Sequence, residues 1–147
     1  HAIRNEYKKH IDKNTTKFTV IRNPISRIQS ELRGNYKYYK KIIQPWNPDD
    51  CLKYIFQNEL NRRDNHFKKI IDFINPKKIK KENIYIYRFE DNWKNKLIED
   101  FSLLGDFPHE KGDSYDENLN VEFSISSIDM IKNYYKADFK YFYSDYF

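Results

Sequence analysis

Residues 18–32, Phe18-Thr19-Val20-Ile21-Arg22-Asn23-Pro24-Ile25-Ser26-Arg27-Ile28-Gln29-Ser30-Glu31-Leu32, read as strand, turn and helix in succession. The run from Lys17 to Ile21 is β-branched and aromatic, as strands are. It stops at Arg22-Asn23-Pro24, because proline disfavours helical backbone in the residue before it. Pro24 in turn suits a first helical position, and Ile25, Ile28 and Leu32 recur at the i, i+3, i+7 spacing of a buried stripe. A strand feeding a helix is the unit of an α/β layer structure. In such a sheet ligands gather beyond the carboxyl ends of the strands, where a helix beginning there turns its N–H groups towards an anion. Arg22 stands at that strand end. At about 100° per residue, Arg27, Ser30 and Gly34 fall roughly opposite the apolar stripe. Arg22 and Ser30 therefore make a sensible phosphate clasp, since a guanidinium forks across two oxygens and a hydroxyl donates a third bond. The bland alternative pairs Arg22 and Arg27 with nearby carboxylates and leaves Ser30 in solvent.

Outward from this stretch the pattern continues as helices with few strands. The spacing predicts an amphipathic helix over 2–11, and a second over 49–62 with Asp49 and Asp50 at its start and Leu52, Ile55, Phe56 and Leu60 on its stripe. Residues 64–74 fit no single period. Lys77, Lys78, Lys80 and Lys81 read as a solvated connection into the strand Ile84-Tyr85-Ile86-Tyr87. Trp93, Leu97, Phe101 and Leu104 then mark a helix with Gly105 as its left-handed cap. Residues 106–121 read as a loop. Ser126-x-x-Asp129 fits a capping box before a C-terminal helix carrying Ile128, Ile131, Tyr135 and Phe139. Two convincing strands fall short of the five or so of an average sheet, so further strands are expected at an edge or upstream of His1.

The chain has 147 residues, with 27 Lys and Arg against 22 Asp and Glu. That length fits one domain able to bury a core, and 1–147 is read as a single unit with no repeat or linker. No stretch reaches the length of a membrane span, and the first residues lack the pattern of a signal peptide. A lone Cys51 excludes an intrachain disulfide and favours a reducing compartment. Residues 1–90 carry 21 Lys and Arg against 10 Asp and Glu, net +11, and residues 91–147 are net −6. An anionic partner belongs on the first part. The excess of Lys (20) over Arg (7), with 15 Asn and 18 Ile, follows AT-rich codons, which weakens the case for nucleic acid.

Together these residues carry a resemblance to a known family. Residues 18–32 resemble the 3′-phosphate-binding motif of the sulfotransferases: a strand ending in Arg-(Asp/Asn)-Pro, then a helix with Ser eight residues after that Arg. The match is closest to the carbohydrate-acting, membrane-associated branch and its bacterial and viral relatives. Four further blocks agree in order. His1 is similar to a His placed some twenty residues before the motif. Asp64-Asn65-His66-Phe67-Lys68 resembles a His-(Phe/Trp)-Arg-Pro-Gln segment. Ile86-Tyr87-Arg88-Phe89-Glu90-Asp91, with a helix ending Leu103-Leu104-Gly105, is similar to the family's strand–acidic–helix block. Tyr135-x-x-Asp138-Phe139-x-x-Phe142 is similar to its C-terminal helix. Phe107-Pro108-His109-Glu110-Lys111 resembles a Pro-His-x-Asn segment with Lys111 in place of Asn.

The resemblance implies a P-loop-NTPase-like three-layer α/β fold and transfer of a sulfuryl group from 3′-phosphoadenosine 5′-phosphosulfate to a carbohydrate hydroxyl. Adenosine 3′,5′-bisphosphate is the implied product, and no metal is implied. Arg22, Ser30, Arg27 and Lys111 become donor-binding residues, His1 the catalytic base, and His66, Lys68 and His109 contacts to the acceptor. The Gly-rich, Lys-containing loop that holds the 5′-phosphosulfate is absent from these residues. The chain is accordingly expected to be the C-terminal portion of a complete domain, with that loop and its strand upstream. An inactive relative that binds a glycan or partner, or a basic nucleic-acid-binding module, are the competing expectations. The compartment would be cytoplasmic for a bacterial or viral chain and the Golgi lumen for a eukaryotic one. The basic first part would then face a nucleotide donor and an anionic sugar.

Overall fold

Phe18–Ile21 (β1) and Tyr85–Arg88 (β2) lie side by side and parallel, with Phe18 opposite Tyr85 and Ile21 opposite Arg88. Parallel neighbours require a crossover, and here 63 intervening residues, 22–84, supply it as six helices. This computed structural model describes residues 15–103 and 115–146. Within them the architecture is mixed α/β, helix-rich, with a two-stranded parallel sheet.

The first helix forms as its sequence dictates. Helix α1, Pro24–Gly34, has Pro24 in its first turn and is capped by Asn23, whose side chain accepts from the Ile25 N–H at 2.8 Å. It buries Pro24, Ile28 and Leu32. Helix α2, Tyr36–Ile42, follows after Asn35. The helix expected over 49–62 is present in two pieces. Helix α3, Pro48–Gln57, is capped by Asn47, and α4, Leu60–Arg63, follows Glu59, whose φ of 56° breaks the run. Residues 64–69 form a turn leading into the short α5, Ile70–Phe73.

The lysine run differs from the expected solvated connection: Pro76–Glu82 is a helix, α6, with Asn75 capping the Lys78 N–H at 2.8 Å. It buries no residue, so the lysines are solvated, on a helix rather than a coil. After β2 comes a single 3-10 turn, Phe89–Asp91, then α7, Trp93–Phe101. That helix ends at Ser102, left-handed with φ 50°, earlier than the stop expected at Gly105; Gly105 lies outside the described residues.

The last helix also starts and breaks differently from expectation. Helix α8, Ile125–Tyr134, begins at Ser124, whose Oγ accepts from the Ser127 N–H at 3.2 Å. Asp49 of α3 accepts from both the N–H and the hydroxyl of Ser124, at 3.0 and 3.2 Å, and so fixes that start two residues before the expected Ser126. Tyr135 then separates α8 from α9, Lys136–Phe142.

The core gathers Ile28 and Leu32 of α1, Leu52 and Ile55 of α3, and Ile131, Tyr135 and Phe139 near the C-terminus, each fully buried. Burial of one such side chain contributes about 1.5–3 kcal/mol. Among the described residues no helix is long and apolar enough to cross a membrane.

Candidate functional site

Arg22 leaves the end of β1 just where α1 begins, and three contacts set its side chain. Its guanidinium lies over the Phe89 ring, 4.3 Å from the centroid. Its Nε donates to the Ser26 Oγ at 3.4 Å. Ser26 in turn donates to Glu90 at 3.0 Å. Glu90 also accepts from the Asn23 N–H at 2.7 Å and from the Tyr143 hydroxyl at 3.0 Å. One carboxylate thus ties the β1–α1 turn to the end of β2 and to the C-terminus. Burial lowers the Arg22 proton affinity, and the charge of Glu90 opposes that. No carboxylate lies within ion-pair distance of Arg22 among the described residues.

The terminal nitrogens of this guanidinium make no hydrogen bond among the described residues, while its plane is fixed by stacking and its Nε by Ser26. Ser30 sits one helical turn beyond Ser26 on the same face of α1, half-buried, its hydroxyl without a partner among the described residues. A stacked guanidinium with its outer fork open, beside a hydroxyl, is a preorganised receptor for a tetrahedral oxyanion. The end of the helix plays less part than the sequence pattern suggests. Asn23 already takes the Ile25 N–H, so side chains rather than the first turn of α1 would hold the anion.

No protein-family model, curated protein or solved structure matches this chain.

Arg27, expected beside the donor, faces another side of α1. Its Nη2 donates to the Lys68 carbonyl at 2.6 Å, and its guanidinium stands 5.5 Å from the Tyr135 ring. It braces the 64–69 turn against the C-terminal helices. His66 is on that same turn, exposed, with Nδ1 2.7 Å from Asp64 Oδ1 and 3.8 Å from Glu31 Oε1. Burial pushes the Glu31 carboxyl up, and His66 beside it acts in the opposite direction. The side chain of Lys68 is half-buried, and its carbonyl is the one held by Arg27. Arg22 thus meets α1 at Ser26, one turn before Ser30, while Arg27 and Glu31 of the same helix meet the turn that carries His66 and Lys68. His1, His109 and Lys111 lie outside the described residues.

The turn that carries His66 is clamped from the C-terminus. Asp138, fully buried, accepts from the Ile70 and Ile71 N–H groups at 2.7 and 3.0 Å, capping α5 from another helix. Tyr135 donates to the Phe67 carbonyl. The Tyr134 hydroxyl reaches the Asn61 carbonyl at 3.2 Å, and Lys69 lies 4.6 Å from the Tyr134 ring. Sequence reading missed Phe89 as the stacking platform and Glu90 as the hub, because both act on residues 53 or more positions away. The signal available was the acidic and aromatic pair directly after a strand. Among the described residues no group of three or more His, Cys, Asp or Glu side chains is arranged to hold a metal ion.

Proposed function

We propose that this chain is a sulfotransferase domain of the carbohydrate-acting branch, with the three-layer α/β fold of that family, and that Arg22 and Ser30 hold the 3′-phosphate of 3′-phosphoadenosine 5′-phosphosulfate. The observation that carries the reading is Arg22. Stacked on Phe89 and tethered through Nε to Ser26, it presents its outer fork at the carboxyl end of a parallel strand, without a carboxylate partner among the described residues. Each charge-assisted bond to a phosphate there would contribute about 1.5–3 kcal/mol. The donor supplies the sulfuryl group that an acceptor hydroxyl receives. The residues of the chain contribute by fixing the anion, orienting the acceptor and taking the hydroxyl proton. His66 and Lys68, braced by Arg27, are assigned to the acceptor, and His1 to the proton.

Adenosine 3′,5′-bisphosphate is expected to raise the melting temperature of the chain, because a ligand at about 100 times its Kd adds about 2.7 kcal/mol to a native state that alone binds it. Arg22→Ala abolishes that rise, and Arg22→Lys retains only part of it because the fork is lost. A melting curve unchanged by millimolar nucleotide overturns the reading. Nucleotide binding without transfer of labelled sulfate to carbohydrate acceptors makes the chain a binding domain instead of an enzyme.

A further inference from the structure

At the far end of α1 from Arg22 an open cavity of about 440 Å³ separates the start of α2 from residues 115–118. Tyr36, Lys37 and Lys40 line one side, and Tyr115, Asp116, Glu117 and Asn118 the other. The two sides are joined to α1. The Asp116 N–H donates to the Arg33 carbonyl at 3.2 Å, and a methyl group at Gly34 would meet the Tyr115 ring at 3.8 Å. Tyr36 is held edge-on by Trp46, ring centroids 5.0 Å apart, and Lys40 lies 5.4 Å from its ring. Asp116 Oδ1 accepts from the Asn118 N–H at 3.0 Å and fixes the opposing turn. Its size is that of a small-molecule site, about 300–1,000 Å³.

We infer that this cavity is a second acceptor subsite, beyond the unit assigned to His66 and Lys68, and that it takes an uncharged saccharide unit. The inference rests on the reading of the chain as a carbohydrate sulfotransferase and adds to it the place and charge class of a further unit of the acceptor. Among the described residues its lining brings two ammonium groups and two carboxylates together, a formal balance of zero, although the first 90 residues are strongly basic. A sugar hydroxyl both donates and accepts, and such a ligand uses lysine donors and carboxylate or amide acceptors at once. A sulfated or uronic acid chain would set its anions against Asp116 and Glu117, and a nucleic acid would meet the same repulsion. Tyr36 and Tyr115 add flat apolar surface with a polar rim, suited to the C–H face of a pyranose ring.

The test is isothermal titration of the full chain with maltohexaose, cellohexaose and chitohexaose, alongside a heparin hexasaccharide. At least one uncharged hexasaccharide is expected to bind with a Kd of about 1 mM or tighter, and Lys37→Ala and Tyr115→Leu each to weaken it about tenfold. The heparin fragment is expected not to compete. Absence of binding by all three uncharged probes, stronger binding of the heparin fragment, or binding untouched by both substitutions overturns the inference. Arg22→Ala is expected to lose stabilisation by adenosine 3′,5′-bisphosphate and keep saccharide binding. Wild-type chain that binds saccharide but no nucleotide overturns the donor reading and leaves the saccharide site standing.

Discussion

Glu31 shows how one side chain reports on its surroundings. Its carboxyl accepts from the Asn35 side chain and faces His66 and Asp64, and burial raises its proton affinity above the ordinary carboxyl value. The folded protein then keeps this proton to a higher pH than the unfolded chain does. The stability linked to Glu31 is fully present below the unfolded value and is lost as pH rises through the folded one. Glu31→Gln cannot ionise and escapes that loss. Its stability relative to wild type is therefore expected to rise between about pH 3 and pH 6, across the carboxyl range. Urea denaturation midpoints at the two ends check this, and a wild-type-to-variant difference that stays constant refutes it. His66 shares the site, so His66→Ala should enlarge the rise, because it removes the neighbour that favours the charged carboxylate.

At the scale of elements, caps decide the boundaries. Ser124 is the residue whose hydroxyl satisfies the first turn of α8, and Asp49 holds it from α3. Ser126 lies inside the helix and is exposed. Ser124→Ala is expected to cost about 0.5–2 kcal/mol, the usual range for loss of an N-cap. Ser126→Ala is expected to stay within about 0.5 kcal/mol of wild type, as exposed positions do. Equal losses from the two substitutions in chemical denaturation would return the cap to Ser126. Ser126-x-x-Asp129 has the better local pattern, and it loses because a side chain 75 residues away fixes Ser124. Elements whose signals are local were legible: β1, the Asn23-Pro24 start of α1, β2, and the existence of α7. Breaks at Glu59, Ser102 and Tyr135 were not, because they occur at non-glycine residues, and Glu59 and Ser102 take left-handed backbone that their residue types do not announce. At the candidate site, the eight-residue spacing singled out Arg22 and Ser30, and the structure sets Arg22 against Phe89 and Ser26. The platform Phe89 and the hub Glu90 became visible only when β2 was paired to β1.

For the molecule as a whole, the C-terminal helices close a crossover that begins at β1. Asp138 and Tyr135 grip a single turn, residues 67–71, and Arg27 of α1 holds the Lys68 carbonyl in that turn. The Tyr-x-x-Asp spacing in the sequence is thus a clamp between segments 68 residues apart, a role that neither residue type announces locally. Burial pushes the Asp138 carboxyl up even though two N–H donors pull it down, so the clamp works against a desolvation cost and depends on its partners. Asp138→Asn leaves one of two N–H groups facing a donor, and Tyr135→Phe leaves the Phe67 carbonyl without its hydroxyl. Each is expected to cost about 1–3 kcal/mol. Because both dock the same turn, their effects should not be independent. Once one grip is released the turn relaxes, and the second has less to lose. The double variant is therefore expected to fall short of the summed losses by about 0.5–3 kcal/mol, the range for residues that share a structural unit. Urea unfolding of the four proteins closes that cycle. Strict additivity would mean that residues 67–71 are held by two separate contacts rather than by one clamp.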